Sequence, residues 1–172
     1  MNLLFENMVD DRGAKFSACN NYRYALWRIW DKSKPLVMCI GLNPSKATKV
    51  KNDRTITRLE SLIKNAGYGG FYMMNLFAYI TPYPKQLKYA QDLQGDSNKW
   101  FTEISAKCKD VVFCWGGFNI LSLYEMFADR VEFMEEMYAG ALCFGFCNSG
   151  APRHPLMLKK DTPLIKFGNS SK

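Results

Sequence analysis

Leu36–Leu42 (LVMCIGL) is apolar without interruption, and this run constrains the fold more than any other feature of the chain. A strand that is apolar on both faces has to be covered on both, as in a sheet sandwiched between helices. The neighbouring segments agree. After a polar loop, Asp53 can cap a helix in which Ile56, Leu59, Leu62 and Ile63 recur at helical spacing, and Gly67 sits where a terminating glycine belongs. Phe71–Phe77 (FYMMNLF) reads as a second strand broken by one polar residue. Trp100, Ile104 and Cys108 mark another amphipathic helix, and Val111–Trp115 (VVFCW) a third strand. A helix is expected around Asn119–Ala128 and a last short strand at about Ala141–Phe146. This alternation predicts an α/β three-layer sandwich with a central, mostly parallel sheet. Tyr22–Trp30 (YRYALWRIW) suits an N-terminal antiparallel strand or hairpin, paired with Leu36–Leu42 through the turn Asp31–Lys34. The alternative is a helix presenting Tyr22, Leu26, Ile29 and Trp30 on one face.

The 172 residues suffice for one domain with a real core, so residues 1–172 are read as a single α/β domain with 1–13 and 166–172 peripheral. Hydrophobic residues make up 48%, which excludes a disordered chain. No apolar run approaches the ~20 residues of a membrane span. The N-terminal stretch has two acids after its apolar patch and no basic segment, which argues against a secretory signal and for a cytoplasmic protein. Six cysteines form no Cys-x-x-Cys pair, and one histidine does not complete a zinc site, so neither metal nor cofactor is expected. Cys39, Cys114 and Cys143 lie in apolar runs and read as buried, reduced thiols. The formal charge of +7 favours a polyanionic partner.

Ligands of open parallel sheets bind outside the carboxyl ends of the strands. Four such ends carry unusual residues. The first is Gly41-Leu42-Asn43-Pro44-Ser45, where the glycine allows close backbone approach and Asn43 presents an amide; a plain Asn-Pro turn is the alternative. Asn75 interrupts the second strand, and a buried amide needs partners or a ligand; its side-by-side donor and acceptor suit a nucleobase edge. Trp115-Gly116-Gly117 permits tight helix packing or approach of a phosphate, without the spacing of a dinucleotide fingerprint. Finally, Gly150–Leu156 holds His154, the only histidine, between two prolines and beside Arg153. A rigid loop offering imidazole and guanidinium fits an anionic ligand or leaving group.

Together, YRYALWRIW, GLNPS, Asn52-Asp53-Arg54-Thr55-Ile56, Gly67-Tyr68-Gly69-Gly70, NLFAY, the Trp115-Gly116 pair and PRHPLML resemble the domain-of-unknown-function 1643 family of bacterial and phage proteins. The order of motifs also resembles, more distantly, the uracil-DNA glycosylase superfamily. That resemblance implies a compact α/β fold around a parallel sheet. It implies that Asn43, in a Gly-x-Asn-Pro loop, positions the water that attacks the sugar carbon. It implies further that Asn75 reads a flipped base and that His154-Pro155 opens a loop contacting the base oxygen and the DNA backbone. Leu156 stands where that superfamily usually has serine, and Asn43 where other branches have an acid.

The expected activity is that of a glycosylase-type hydrolase, cleaving the N-glycosidic bond of a base in DNA or of a related nucleoside. Asn43 and His154 would be catalytic; Gly41, Pro44, Ser45, Asn75, Phe77, Trp115 and Arg153 would bind substrate, with Phe77, Tyr79 and Trp115 as stacking surfaces and Arg153, Lys46 and Lys49 on phosphates. The expected partner is nucleic acid, DNA ahead of RNA, or a nucleotide-like ligand. A non-catalytic binding module using the same pocket and a hydrolase or transferase for a nucleotide-like metabolite are the alternatives.

Overall fold

The computed structural model describes residues 11–117 and 124–168. Its strands are β1 (Arg12–Phe16), β2 (Arg23–Ile29), β3 (Leu36–Gly41), β4 (Gly70–Asn75), β5 (Asp110–Phe113), β6 (Leu142–Cys143) and β7 (Ile165–Lys166). The α-helices are α1 (Arg54–Asn65), α2 (Ser97–Ser105) and α3 (Tyr124–Met137). The strands form one sheet in the order β1-β2-β4-β3-β5-β6-β7.

Side chains alternate across the central strands as a period of two demands. Val37, Cys39, Phe71, Met73 and Val112 meet Ile56, Leu59, Leu62 and Ile63 of α1 on one face. On the other, Met38, Ile40, Tyr72, Met74 and Phe113 pack with Trp100, Phe101 and Ile104 of α2 and Met134 of α3. Each large apolar side chain buried this way contributes about 1.5–3 kcal/mol. The chain is thus an α/β three-layer sandwich.

The sheet is mixed, which corrects the expectation of a mostly parallel one. Pairs β4–β3, β3–β5 and β5–β6 are parallel, whereas β1–β2, β2–β4 and β6–β7 are antiparallel. The segment Tyr22–Trp30 does form a strand, but β2 pairs with β1 and β4, and not with β3. Gly69 explains this insertion. A Cβ there would fall 1.9 Å from the Asp31 carbonyl oxygen, so only glycine lets β4 enter between β2 and β3. The Trp30 and Asp31 amides both donate to the Gly69 carbonyl, 2.9 Å away.

Boundaries also move: the strand expected at Phe71–Phe77 ends at Asn75, and that expected at Val111–Trp115 ends at Phe113. The helix expected at Asn119–Ala128 is found at Tyr124–Met137, and residues 118–123 lie outside the described residues. The strand expected at Ala141–Phe146 is only Leu142–Cys143, because Gly145 turns the chain at φ +105°. In the tail expected to fray, β7 pairs with β6 and the Phe167 ring packs 5.0 Å from Phe113. No described helix is long and apolar enough to cross a membrane.

A candidate ligand site at the strand ends

A cavity of about 580 Å³ opens where β3, β4 and β5 end and β2 begins. Gly41, Asn43, Ser45, Asn75, Trp115, Arg153 and His154 all line it, so seven of the residues chosen from the sequence converge on one space. Two do not. Phe77 is buried in the α2 layer, because after Asn75 the chain leaves the sheet; the Leu76 and Phe77 amides donate to the Gly41 and Leu42 carbonyls. Pro44 is buried behind the wall, where its carbonyl accepts from the Thr81 amide at 3.0 Å. Tyr79, another expected stacking surface, packs edge-on against Tyr22 at 5.8 Å.

The loop between β3 and α1 contributes Asn43, Ser45 and Asp53 to the lining and is braced from below. Arg23 Nη1 donates to the Ala47 carbonyl (3.0 Å), and Arg28 Nη2 to that of Thr48 (2.9 Å). Arg28 Nε also donates to Asn52 Oδ1 (2.8 Å), while Asn52 Nδ2 reaches Glu60 on α1 (3.1 Å). Asn43 Nδ2 is held by the Thr81 and Pro44 carbonyls at 2.8 and 2.9 Å, which orients the amide and leaves Oδ1 as the acceptor it offers a ligand. Asp53 caps α1 by accepting from the Ile56 amide at 2.9 Å with one oxygen, and its residue lines the cavity.

The opposite wall is a tight loop. The Gly116 amide donates to the Pro152 carbonyl (3.0 Å) and that of Arg153 to Gly145 (2.9 Å). Gly116 has φ +85°, and a Cβ there would lie 3.0 Å from His154 Cβ, so glycine sets how closely the histidine approaches β5. His154 Nδ1 accepts from the Leu156 amide at 3.3 Å, so the neutral imidazole carries its proton on Nε2 and is a donor. Burial lowers the His154 pKa, opposed by the Asp53 carboxylate, and keeps the neutral form at neutral pH. Trp115 lines the cavity while its ring packs 4.6 Å from Phe113.

The floor holds Asn75, chosen from the sequence, and Arg23, which sequence reading missed. Asn75, 3% exposed, has a buried Nδ2 with no hydrogen-bond partner. Arg23, equally buried, has an Nε in the same condition. Burial lowers the Arg23 pKa to about 10, against the favourable field of Asp53, so it stays charged at neutral pH. Thr55, Thr81 and Cys147 complete the polar lining. A signal for Arg23 was present: a charged residue inside an otherwise apolar strand must find a partner. Asp53 was legible only as a cap, and Thr81 carries no motif.

The cavity therefore offers donors from Asn75, Arg23 and His154 and acceptors from Asn43 and Asp53. Among the described residues, no cluster of three or more His, Cys, Asp or Glu could hold a metal ion. All six cysteines are free; burial raises the Cys114 thiol to about 12 and pushes Cys39 up as well.

A family model described as a protein of unknown function, DUF1643, matches residues 23–156, a span that runs from Arg23 to one residue past Pro155. Neither a curated protein nor a solved structure matches the chain significantly.

Proposed function

We propose that this chain, which belongs to the DUF1643 family, binds a nucleobase in the strand-end cavity and hydrolyses its N-glycosidic bond, in DNA or in a related nucleoside. The observation that carries the reading is the convergence of Asn43, Asn75 and His154 on one cavity, with the Asn75 amide buried and unpartnered. A buried donor left unpaired costs about 1–3 kcal/mol, a cost that a ligand carbonyl removes.

The chemistry needs a held water and a stabilised leaving base more than a strong nucleophile. Asn43 Oδ1 holds the water. Its oxygen bonds to the anomeric carbon as the carbon–nitrogen bond breaks, and the bonding pair leaves on the base. His154 Nε2–H donates to the negative charge growing on the base, an oxyanion-type contact worth about 3 kcal/mol. Asn75 Nδ2 donates to a base carbonyl, and the proton lost by the water ends on the released base. The resemblance of GLNPS and His154-Pro155 to the uracil-DNA glycosylase superfamily supports the same roles. A second reading, binding without turnover, is favoured by Leu156 in place of a phosphate-contacting serine and by an amide in place of a carboxylate at position 43.

The test is base release from duplex and single-stranded oligonucleotides carrying uracil, hypoxanthine, mismatches or phage-type modified bases, and from the matching nucleosides and nucleotides. Release that Asn43→Ala abolishes, with folding retained, is the expected result. Saturable binding without release selects the second reading. Neither release nor binding contradicts both.

A further inference from the structure

We infer that Arg23 is the receptor for a terminal phosphate, and that the ligand of the cavity is a free nucleoside monophosphate. The base end of that ligand rests on the reading above; the phosphate end is argued separately.

Arg23 and Arg28 lie five positions apart on β2, and both are buried. Arg28 is completed by the protein: Nε donates to Asn52 Oδ1, Nη1 to the Trp27 and Gly13 carbonyls, and Nη2 to that of Thr48. Arg23 is not. Its one side-chain hydrogen bond goes to the Ala47 carbonyl, its Nε has no partner, and no described carboxylate forms an ion pair with it. A buried guanidinium with no carboxylate in contact is costly, Asp53 acting on it only through its field, and its planar fork matches the oxygens of a phosphate. Arg23 also lines the cavity, so the missing acceptor can reach it.

Position along the sheet edge sets the length of the ligand. From β2 to β5 the order is β2-β4-β3-β5, three strand spacings. At about 4.8 Å each, that puts roughly 14 Å between Arg23 and the wall of Trp115 and His154. A nucleotide laid along the edge places its phosphate at Arg23 and its base near Asn75 and His154. Asp53 lines the same cavity, and a carboxylate oxygen there accepts from a sugar hydroxyl. The depth of Arg23 makes the phosphate terminal. An internal phosphodiester continues in both directions and does not reach a side chain 3% exposed at a cavity floor, whereas a monoester ends there.

Calorimetry on the full chain tests this with deoxynucleoside 5′-monophosphates, the matching nucleosides, 5′-phosphorylated oligonucleotides and inorganic phosphate. At least one free monophosphate should bind ~10-fold or more tightly than its nucleoside and than the oligonucleotide, with inorganic phosphate competing. Arg23→Gln should bring nucleotide and nucleoside to equal affinity; Arg23→Lys should restore part of the difference. Equal binding of nucleotide and nucleoside to the wild-type chain overturns the inference, as does a preference that survives Arg23→Gln. If Arg23→Gln does not fold, the wild-type ratio and the phosphate competition decide. Nucleosides that bind with no gain from phosphate leave the nucleobase reading standing and this inference overturned. Inorganic phosphate bound through Arg23, with no nucleotide binding more tightly, overturns the nucleotide assignment and the nucleobase reading together.

Discussion

His154 is the single histidine, so its titration can be followed alone. Burial lowers its pKa from the ordinary value of about 6.5, which means the unfolded chain takes up this proton at higher pH than the folded one. Stability from this group is fully present above about pH 6.5 and is lost as pH falls through the folded pKa. The imidazole proton resonance should therefore titrate below pH 6.5, and His154→Gln should remove that part of the acid destabilisation seen by chemical unfolding. A midpoint above 6.5 would contradict the placement of His154. Residue by residue, legibility followed chemistry. Asn43 stands at the end of an apolar run, Asn75 interrupts one, and Arg153 and His154 lie in a proline-bounded loop beyond the last strand. Phe77 was misplaced because period-two reading continues a strand past the point where backbone bonds to Gly41 and Leu42 bend it away. Arg23 was passed over because aromatic content dominated the reading of YRYALWRIW.

At the scale of elements, Asp53 joins fold and site. It caps α1 through Ile56 and also faces the cavity, and the two roles separate by substitution. Asp53→Ala should cost about 1 kcal/mol through the lost cap, whereas Asp53→Asn keeps a capping acceptor and should cost a few tenths. Asp53→Asn should also lower the His154 pKa further, since the carboxylate now supports the charged imidazole. Equal destabilisation by both variants, with no change at His154, would place Asp53 outside the site. Helix α1 was legible down to its cap and terminating Gly67, because capping and periodicity are local signals. The pairing of β2 was not. A short turn at Asp31–Lys34 suits a hairpin, and the insertion of β4 depends on a glycine about 40 residues downstream.

For the whole molecule, the layers were legible and the sheet direction was not. Continuous apolar strands require two helical layers, which the alternating faces of β3, β4 and β5 supply. The antiparallel pairings come from β1, β2 and β7, which range from partly buried through almost fully buried to exposed, so burial gives no sign of direction. On the proposed reading, the excess of 23 basic over 16 acidic residues steers anions towards the molecule at long range, and Arg23, His154 and Asn75 select among them at contact. In the proposed reaction the cavity directs water to an anomeric carbon. That reaction separates from simple nucleotide hydrolysis by following heavy oxygen from labelled water. Turnover of deoxynucleoside monophosphates in labelled water should place the label on the released sugar, at a rate reduced ~100-fold or more by His154→Ala. Label found only on phosphate, or no base released above the uncatalysed rate, would contradict it.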